Sequence, residues 1–397
     1  MPTRPFGPWN LSQKLLAGGL IISFLLTVLA VGLTWPRGES LPISSSFSAT
    51  SSLSREAVKG TVEIADRGIC SSPDDGRVFA DSPRFSTTDT AECLRAVILL
   101  TDGPDAGQRT LLTTYEQPGE PTFEEGQHVI LNRETRATGE TGYTFADYQR
   151  GLPLTIWLIL TVAAFILIGG RQGARSLLGV LIAIVGVVAF LIPGLLHGGN
   201  PLVLAVVCGS AILFPALYIV HGIHWKTSAA LAGTLIALVI AALLGAFAIG
   251  SSQLRGLGDD SNLLITLYIP DLQISGLMLA GFIIGALGVL NDTTVSQAST
   301  VNELAESGHS RWQIFAQAMR VGRDHIASMI YTLVLGYTGA ALPLLLLISL
   351  SGRDLMTILT SDVVATELLR SAVGAIALVL AVPLTTLIAA LTIRTRD

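Results

Sequence analysis

The polar residues that could do chemistry in this chain lie at the end of one long apolar run. Asn291, Asp292 and Ser296 follow the uncharged stretch 272–290. An ionisable residue is costly inside a bilayer, so one at the edge of a span is a candidate for the mouth of a pore. If the helix continues past this stretch, Asp292 and Ser296 share one face at four-residue spacing. The alternative interpretation is an ordinary solvated helix end, and both stay open.

A second candidate group lies on the apolar run 326–350. It contains Thr332 and Tyr337, and glycines together with Pro343 interrupt its helical pattern. A broken helix of this kind lines a cavity in many transporters, although a packed kink has the same sequence. A cavity reaching from Asp292 to Thr332 and Tyr337 would favour transport, so these side chains complete the candidate pore lining.

The stretch 292–325 between these runs is predicted to be a cytoplasmic amphipathic segment. Its apolar residues recur at intervals of three, four or seven, which predicts one helix that lies along a surface and does not span. It is similar to the cytoplasmic coupling loop with which ABC-type permeases contact a separate ATPase. The alternative is an interfacial helix lying on lipid. The candidate coupling residues are Glu303, Gly308, Trp312, Phe315, Arg323 and Asp324.

Several motifs resemble those of YibE/F-like bacterial membrane proteins. They are Gly-Ala-Leu-Gly at 285–288 followed by Asp292, Gly-Arg-Asp at 322–324, Thr-Leu-Val-Leu at 332–335 and Leu-Pro-Leu-Leu-Leu at 342–346. The resemblance covers nearly the whole chain, because the remaining helices and the polar domain follow in the expected order. It implies a bacterial multi-pass membrane protein and carries no settled biochemical activity.

The elements that must position these residues are membrane helices. Half of the residues are hydrophobic and 13% are charged, which is a membrane composition. Eight uncharged runs of spanning length predict eight transmembrane helices. They are 15–35, 152–170, 177–196, 201–220, 228–250, 272–290, 326–350 and 371–393.

Basic residues in the short connections predict the orientation. Cytoplasmic loops carry an excess of Lys and Arg, and one side of the chain holds ten against three on the other. This places both termini in the cytoplasm, at the bacterial plasma membrane, and residues 36–150 outside. The ten are Arg4, Lys14, Arg171, Arg175, Lys226, Arg311, Arg320, Arg323, Arg394 and Arg396, and the three are Arg255, Arg353 and Arg370.

The domain organisation follows from this pattern. Residues 1–35 form a tail and the first helix, 36–55 a flexible tether, 56–150 an extracytoplasmic β domain, and 151–397 a seven-helix domain. The fold class is an all-α membrane bundle of eight transmembrane helices with an inserted, small β-barrel-like domain. Five short β-prone runs suggest a five-stranded barrel of the oligonucleotide-binding or SH3-like kind, namely 57–64, 94–100, 110–115, 128–132 and 143–148.

Charge and cysteine content limit the partners of the β domain. Residues 36–150 contain eighteen Asp and Glu against eleven Lys and Arg, without interleaved aromatic and basic residues, which argues against nucleic acid. A spacer or docking role is preferred. Cys70 and Cys93 face an oxidising compartment in this topology, so a disulfide between them is predicted.

No catalytic or metal-binding constellation is visible in the sequence. His221 and His224 are three apart, but two ligands do not make a metal site. The chain also has no phosphate-binding Gly-x-x-x-x-Gly-Lys-Ser/Thr loop. We therefore expect a permease-like component for a small solute, without cofactor or enzymatic activity, in contact with the lipid bilayer and a separate cytoplasmic ATPase. The alternative is a membrane scaffold whose outer β domain docks an envelope protein.

Overall fold

The computed structural model of the protein describes residues 9–85, 91–136 and 139–393. The chain divides into two compact units. Residues 1–43 and 164–397 form the helical unit, and residues 44–163 form the β unit. Arg4, Arg394 and Arg396, which contribute to the predicted orientation, lie outside the described residues.

The helical elements occur on both sides of the β strands in the chain. A π-helical segment, Val187–Leu191, joins α3 to α4. The helices are α1 (Leu11–Thr34), α2 (Ser45–Thr50), α3 (Gly151–Gly186), α4 (Ile192–Leu196), α5 (Pro201–His221), α6 (Trp225–Ser251), α7 (Asp260–Tyr268), α8 (Ile274–Leu304), α9 (Arg311–Ala340), α10 (Leu342–Ser349), α11 (Leu355–Leu359) and α12 (Asp362–Thr392).

Six helical runs among the described residues are long and apolar enough to cross a membrane. A seventh is added if α9 and α10, which meet at a 63° bend, count as one span. The chain is therefore a multi-pass membrane protein. The run from Gly151 to Leu196 counts once, although Gly170 inside it has the non-helical angles φ 52° and ψ −134°. The eight predicted spans would require one crossing on each side of Gly170.

The core of the helical unit lies where α6, α8 and α12 pack together. Alanines face one another there and are almost completely buried, which allows helix backbones to approach closely in lipid. They are Ala237 and Ala241 on α6, Ala286 on α8, and Ala377 and Ala381 on α12. Gly233 is also required, because a Cβ on it would collide with Oγ1 of Thr385. Helix α8 is thus a packed central helix, as its sequence predicts.

The predicted cytoplasmic segment 292–325 is not a separate element. Helix α8 continues to Leu304, and α9 begins at Arg311, so the two form a hairpin that turns at Gly308. Gly308 takes left-handed angles, φ 75° and ψ 14°, which favour glycine at the end of a helix. Helix α8 continues because no breaker follows residue 290 and because Val301 is fully buried. The apolar stripe therefore belongs to two helices.

The β unit is one curled, antiparallel six-stranded sheet. Its strand order is β2-β4-β3-β1-β5-β6. All five predicted strands are present. The structure adds a sixth, the two-residue β2, which the sequence did not predict. The strands are β1 (Glu56–Ile69), β2 (Val78–Phe79), β3 (Glu92–Leu100), β4 (Arg109–Thr114), β5 (His128–Thr135) and β6 (Thr141–Tyr148).

Gly76 links β4, the strand next to one edge of this sheet, to β6 at the other edge. Its backbone N–H donates to the carbonyl of Leu111 on β4 at 2.7 Å, and its carbonyl accepts from the N–H of Tyr143 on β6 at 2.7 Å. The φ of Gly76 is 66°, and a Cβ would lie 2.8 Å from the carbonyl oxygen of Tyr143. Closure around a core that includes Tyr143 therefore requires glycine at this position.

We predict that Gly76→Ala lowers the free energy of unfolding of the β unit by about 2–3 kcal/mol, since it adds a steric clash to backbone strain. Hydrogen exchange of the β4 and β6 amides in the intact protein measures this. Gly107→Ala is the matched control, because Gly107 has a φ of 88° and no neighbour within 4 Å of a Cβ. It should cost only about 1 kcal/mol. Equal losses in the two variants would contradict a role of Gly76 in closure.

Candidate functional site

The predicted inner mouth is only partly assembled. Asp292 is exposed on α8, about 27 Å along the helix from Ile274, and its titratable neighbours are His221 and His325. No ion pair joins it to Arg323, although the structure describes both residues. Ser296 is half-buried on the same helix. The contacts fit a polar helix surface as well as they fit a pore.

Thr332 and Tyr337 both lie on α9. Thr332 is exposed and donates to the carbonyl of its own helix at Ser328. Neither of the two cavities described for the chain is lined by Asp292, Thr332 or Tyr337. A continuous cavity from Asp292 to Thr332 and Tyr337 stays a prediction. Tyr337 packs against α8. Its hydroxyl packs so closely on Gly285 of α8 that a Cβ there would lie 2.7 Å away.

Beside Asn291, a buried set of polar side chains joins four helices; we call it the polar seam. Thr234 on α6 and Thr294 on α8 share a hydrogen bond of 2.6 Å. The amide of Gln297, also on α8, donates to Oγ1 of Thr386 on α12 at 2.7 Å and to the carbonyl of Ala318 on α9 at 2.9 Å. The four seam side chains, Thr234, Thr294, Gln297 and Thr386, are at most 2% exposed.

The sequence analysis did not identify this seam. The available signal was Gln297 itself, a large polar residue with Thr293 and Thr294 one turn before it. The Oδ1 atom of Asn291 is also buried and has no hydrogen-bond partner among the described residues. The polar groups of this helix thus point into the bundle as well as towards its surface.

A charged cavity lies at the end of the bundle where α8 and α12 begin. Its volume is about 280 Å³, and its charged lining residues are Asp259, Asp362, Glu367 and Arg370. We call it the ion-pair cavity. The carboxylate of Asp362 accepts from the backbone N–H groups of Arg255 at 2.9 Å and Gly258 at 3.3 Å. Asp259 caps α7. These two carboxylates therefore also hold the wall of the cavity in place.

Arg370 is the central group of the ion-pair cavity. Its Nη1 lies 3.1 Å from a carboxylate oxygen of Glu367, one turn earlier on α12. The guanidinium carbon lies 5.3 Å from the ring centroid of Phe282 and 5.7 Å from that of Tyr337, within the range of a cation–π interaction. The Nε–H is buried and lacks a partner among the described residues. The sequence placed Arg370 in a loop, directly before the predicted span 371–393. In the structure α12 begins nine residues earlier, at Asp362, so Arg370 lies within the helix.

The bend between α9 and α10 forms one wall of this cavity. The lining includes Ala340, Ala341 and Leu344, and the two helices meet there at 63°. Pro343 lies in the first turn of α10. Proline has no N–H and its ring clashes with the preceding turn, so α9 cannot continue straight through this position. The break expected in the run 326–350 is thus present, and it adjoins a cavity.

The candidate coupling residues lie around the turn of the α8–α9 hairpin. Glu303 and Gly308 precede the turn into α9, and Trp312 and Phe315 follow it. The two rings stack with centroids 5.0 Å apart and an interplanar angle of 9°, while Trp312 remains 71% exposed. Arg323 and Asp324 are exposed further along α9. They cannot belong to one uninterrupted helix with Glu303, as the sequence pattern suggested, because the chain turns at Gly308.

The predicted disulfide is not formed in the structure. Cys70 and Cys93 are free, buried thiols of the β unit. They are close, however: the N–H of Cys70 donates to the carbonyl of Ala91, two residues before Cys93. Burial, and then the hydrogen bond to Cys70, raises the pKa of Cys93 to about 12. Bridging in an oxidising compartment stays a prediction.

The helical part of the chain matches a known protein family. The model of the YibE/F-like protein family matches residues 157–395, which is more than half of the chain. The chain belongs to the YibE/F-like family. The match contains the polar seam and the ion-pair cavity, but α1 and the β sheet lie outside it, so it is narrower than the resemblance expected from the sequence. No curated protein and no solved structure matches this chain significantly.

Motif positions of this YibE/F-like protein coincide with close helix contacts. Gly285 faces the hydroxyl of Tyr337. Gly322 packs against Gln297 and Val382, and a Cβ there would lie 2.7 Å from a methyl group of Val382. Pro343 marks the bend. The described residues contain no group of three or more His, Cys, Asp or Glu that could hold a metal ion, so His221 and His224 have no such partners.

We predict that Gln297→Leu destabilises the YibE/F-like protein by about 1–2 kcal/mol, because it removes two buried hydrogen bonds, one to α9 and one to α12. The midpoint of thermal unfolding in detergent measures this. Gln172→Leu, on an exposed position of α3, is the control and should leave the midpoint unchanged. If the seam acts as one unit, Thr386→Val added to Gln297→Leu should cost less than the sum of the single changes. Strictly additive losses would contradict the coupling.

We also predict that mild oxidation joins Cys70 to Cys93. The intact protein should then lose the mass of two hydrogen atoms and the labelling of both thiols, while Cys208 still reacts after unfolding. Cys93→Ser should abolish the mass change. Labelling of both residues in oxidised, unfolded protein would show that their contact does not lead to a bridge.

Proposed function

We propose that this YibE/F-like protein is a permease-like component that moves a small solute across the membrane. The observation that carries the proposal is the ion-pair cavity beside the bent pair α9–α10. Transporters commonly bind solutes where a helix is broken and where charged groups line a cavity, because such groups are too costly to retain in a purely lipid-facing bundle. The sequence offers no catalytic constellation, so we propose transport and not enzymatic activity.

The proposed topology has eight spans. It places a crossing on each side of the break at Gly170 and a further one at α9–α10. Positive residues in the connections support cytoplasmic termini at the bacterial plasma membrane and an extracytoplasmic segment 36–150 that contains the β domain at 56–150. In this orientation, the ion-pair cavity opens towards the outside and the hairpin turn at Gly308 faces the cytoplasm.

The α8–α9 hairpin is the proposed contact for a separate ATPase. Trp312 is exposed although it is large and apolar, and its stacking on Phe315 holds it in place. Exposed aromatic side chains of this kind often anchor protein interfaces. The alternative is that Trp312 lies in the lipid interface. Coupling would be supported if a stoichiometric nucleotidase co-purified with the protein and Trp312→Ala abolished this co-purification.

The second candidate function is a membrane scaffold that does not transport and whose β domain docks an envelope protein. Apolar side chains exposed on that domain favour it, namely Leu53 at 87%, Tyr115 at 59% and Ile64 at 48%. Capture of an outer protein in place of a nucleotidase, together with no solute flux, would select this alternative.

The transport proposal predicts a specific effect of the bend. In proteoliposomes that are offered a defined mixture of amino acids, amines and inorganic ions, the protein should accumulate at least one solute, read by mass spectrometry. Pro343→Ala restores a backbone donor and lets α9 continue, so it should reduce this uptake several-fold while the protein stays folded. Pro215→Ala, inside α5 and away from the cavity, is the matched control. No uptake above protein-free vesicles would overturn the transport function.

A further inference from the structure

The lining of the ion-pair cavity carries an excess of negative charge. Three carboxylates, Asp259, Asp362 and Glu367, face one guanidinium, that of Arg370, and the remaining lining residues are uncharged. The formal balance is therefore two negative charges. Clefts with apolar walls concentrate the field of such groups, which attracts cations and repels anions.

The carboxylates do not form a chelating site for a metal ion. No cluster of three or more such ligands occurs among the described residues. Asp362 and Asp259 also accept backbone hydrogen bonds, from Arg255 and Ser261 respectively, so part of their acceptor capacity is already used. Carboxylates with free acceptor positions suit a cation that offers several N–H donors. A volume of about 280 Å³ holds a solute of roughly ten non-hydrogen atoms, at about 30 Å³ for each water-sized group.

The cavity wall already stabilises one organic cation, which is the side chain of Arg370. Its guanidinium is paired with Glu367 and lies near the rings of Phe282 and Tyr337. These two rings do not line the cavity, so the group that a bound solute meets is the carboxylate, which pairs with ammonium and guanidinium compounds. A carboxylate offers about four acceptor positions, so Glu367 can bind a second cation without releasing Arg370.

We propose that the ion-pair cavity binds small organic cations, that is, solutes bearing ammonium or guanidinium groups. Glu367 is the principal binding residue, and Asp259 and Asp362 supply the attracting field. This assignment rests on the proposed transport function and names the chemical class of its solute. The bend at Ala341 places the bound cation next to the broken helix.

Titration calorimetry of the full-length protein in detergent tests the assignment. The probes are putrescine and agmatine, with succinate as a size-matched anion and Mg²⁺ as a metal ion. Putrescine or agmatine should bind, and succinate and Mg²⁺ should not. Binding of succinate with no binding of either amine would overturn the proposal, and so would binding of Mg²⁺ alone.

Two variants test how the charge of the lining affects amine affinity. Glu367→Gln should weaken amine binding about 10–100-fold, the usual loss for a hydrogen bond to a charged group, whereas Asp271→Asn, an exposed carboxylate outside the lining, should not change it. Arg370→Gln makes the lining more negative, so amine affinity should stay equal or increase. Loss of amine affinity in a folded Arg370→Gln protein would overturn the proposal even if Glu367→Gln failed to fold.

Failure of the site and failure of the transport function give different results. Binding in detergent that depends on Glu367, without flux of any solute in proteoliposomes, would overturn transport and leave the site intact. Amine flux with unchanged affinity in Glu367→Gln would overturn the site and leave transport intact.

Discussion

Close contact between α6, α8 and α12 is the constraint on which the rest of the helical unit depends. No water is available in a bilayer core to satisfy polar groups, so each must find a partner within the protein. The threonines of the seam do so in two ways. Thr234 and Thr386 bond carbonyls of their own helices, at Ala230 and Val382, and they also bond α8. Such bonds form only because alanines and Gly233 let the backbones approach.

The same contact determines where α9 lies. Gln297 reaches from α8 to the carbonyl of Ala318, and Gly322 leaves space for it. Helix α9 is therefore fastened along its first half, where Ile314 and Ala318 are fully buried. Its second half is mostly exposed and ends at the bend. Helix α9 is thus fixed at one end and broken at the other, where it forms a wall of the ion-pair cavity.

Ion pairs have different roles in the β unit and in the helical unit. In the β unit, ion pairs such as Arg67–Glu116 and Arg150–Asp147 lie on the surface, where solvent and salt screening leave each with little net stabilisation. Its stability must then come from the core around Val58, Ile98 and Leu131 and from closure at Gly76. In the helical unit the pair Glu367–Arg370 is half-buried, and its retention in a costly environment is the reason to assign it a function.

The sequence by itself determined the element types, the five main strands, the apolar runs and the break near Pro343, because each follows from local periodicity or from the geometry of one residue. It also indicated the membrane class and the family. It did not reveal that α8 continues past residue 290, that Gly308 divides the apolar stripe, or that Gly76 closes the sheet. Nor did it bring Arg370 together with Phe282 and Tyr337. These features were decided by the tertiary structure, because they depend on contacts between segments far apart in the chain, and local periodicity contains no information about which distant helix supplies the partner.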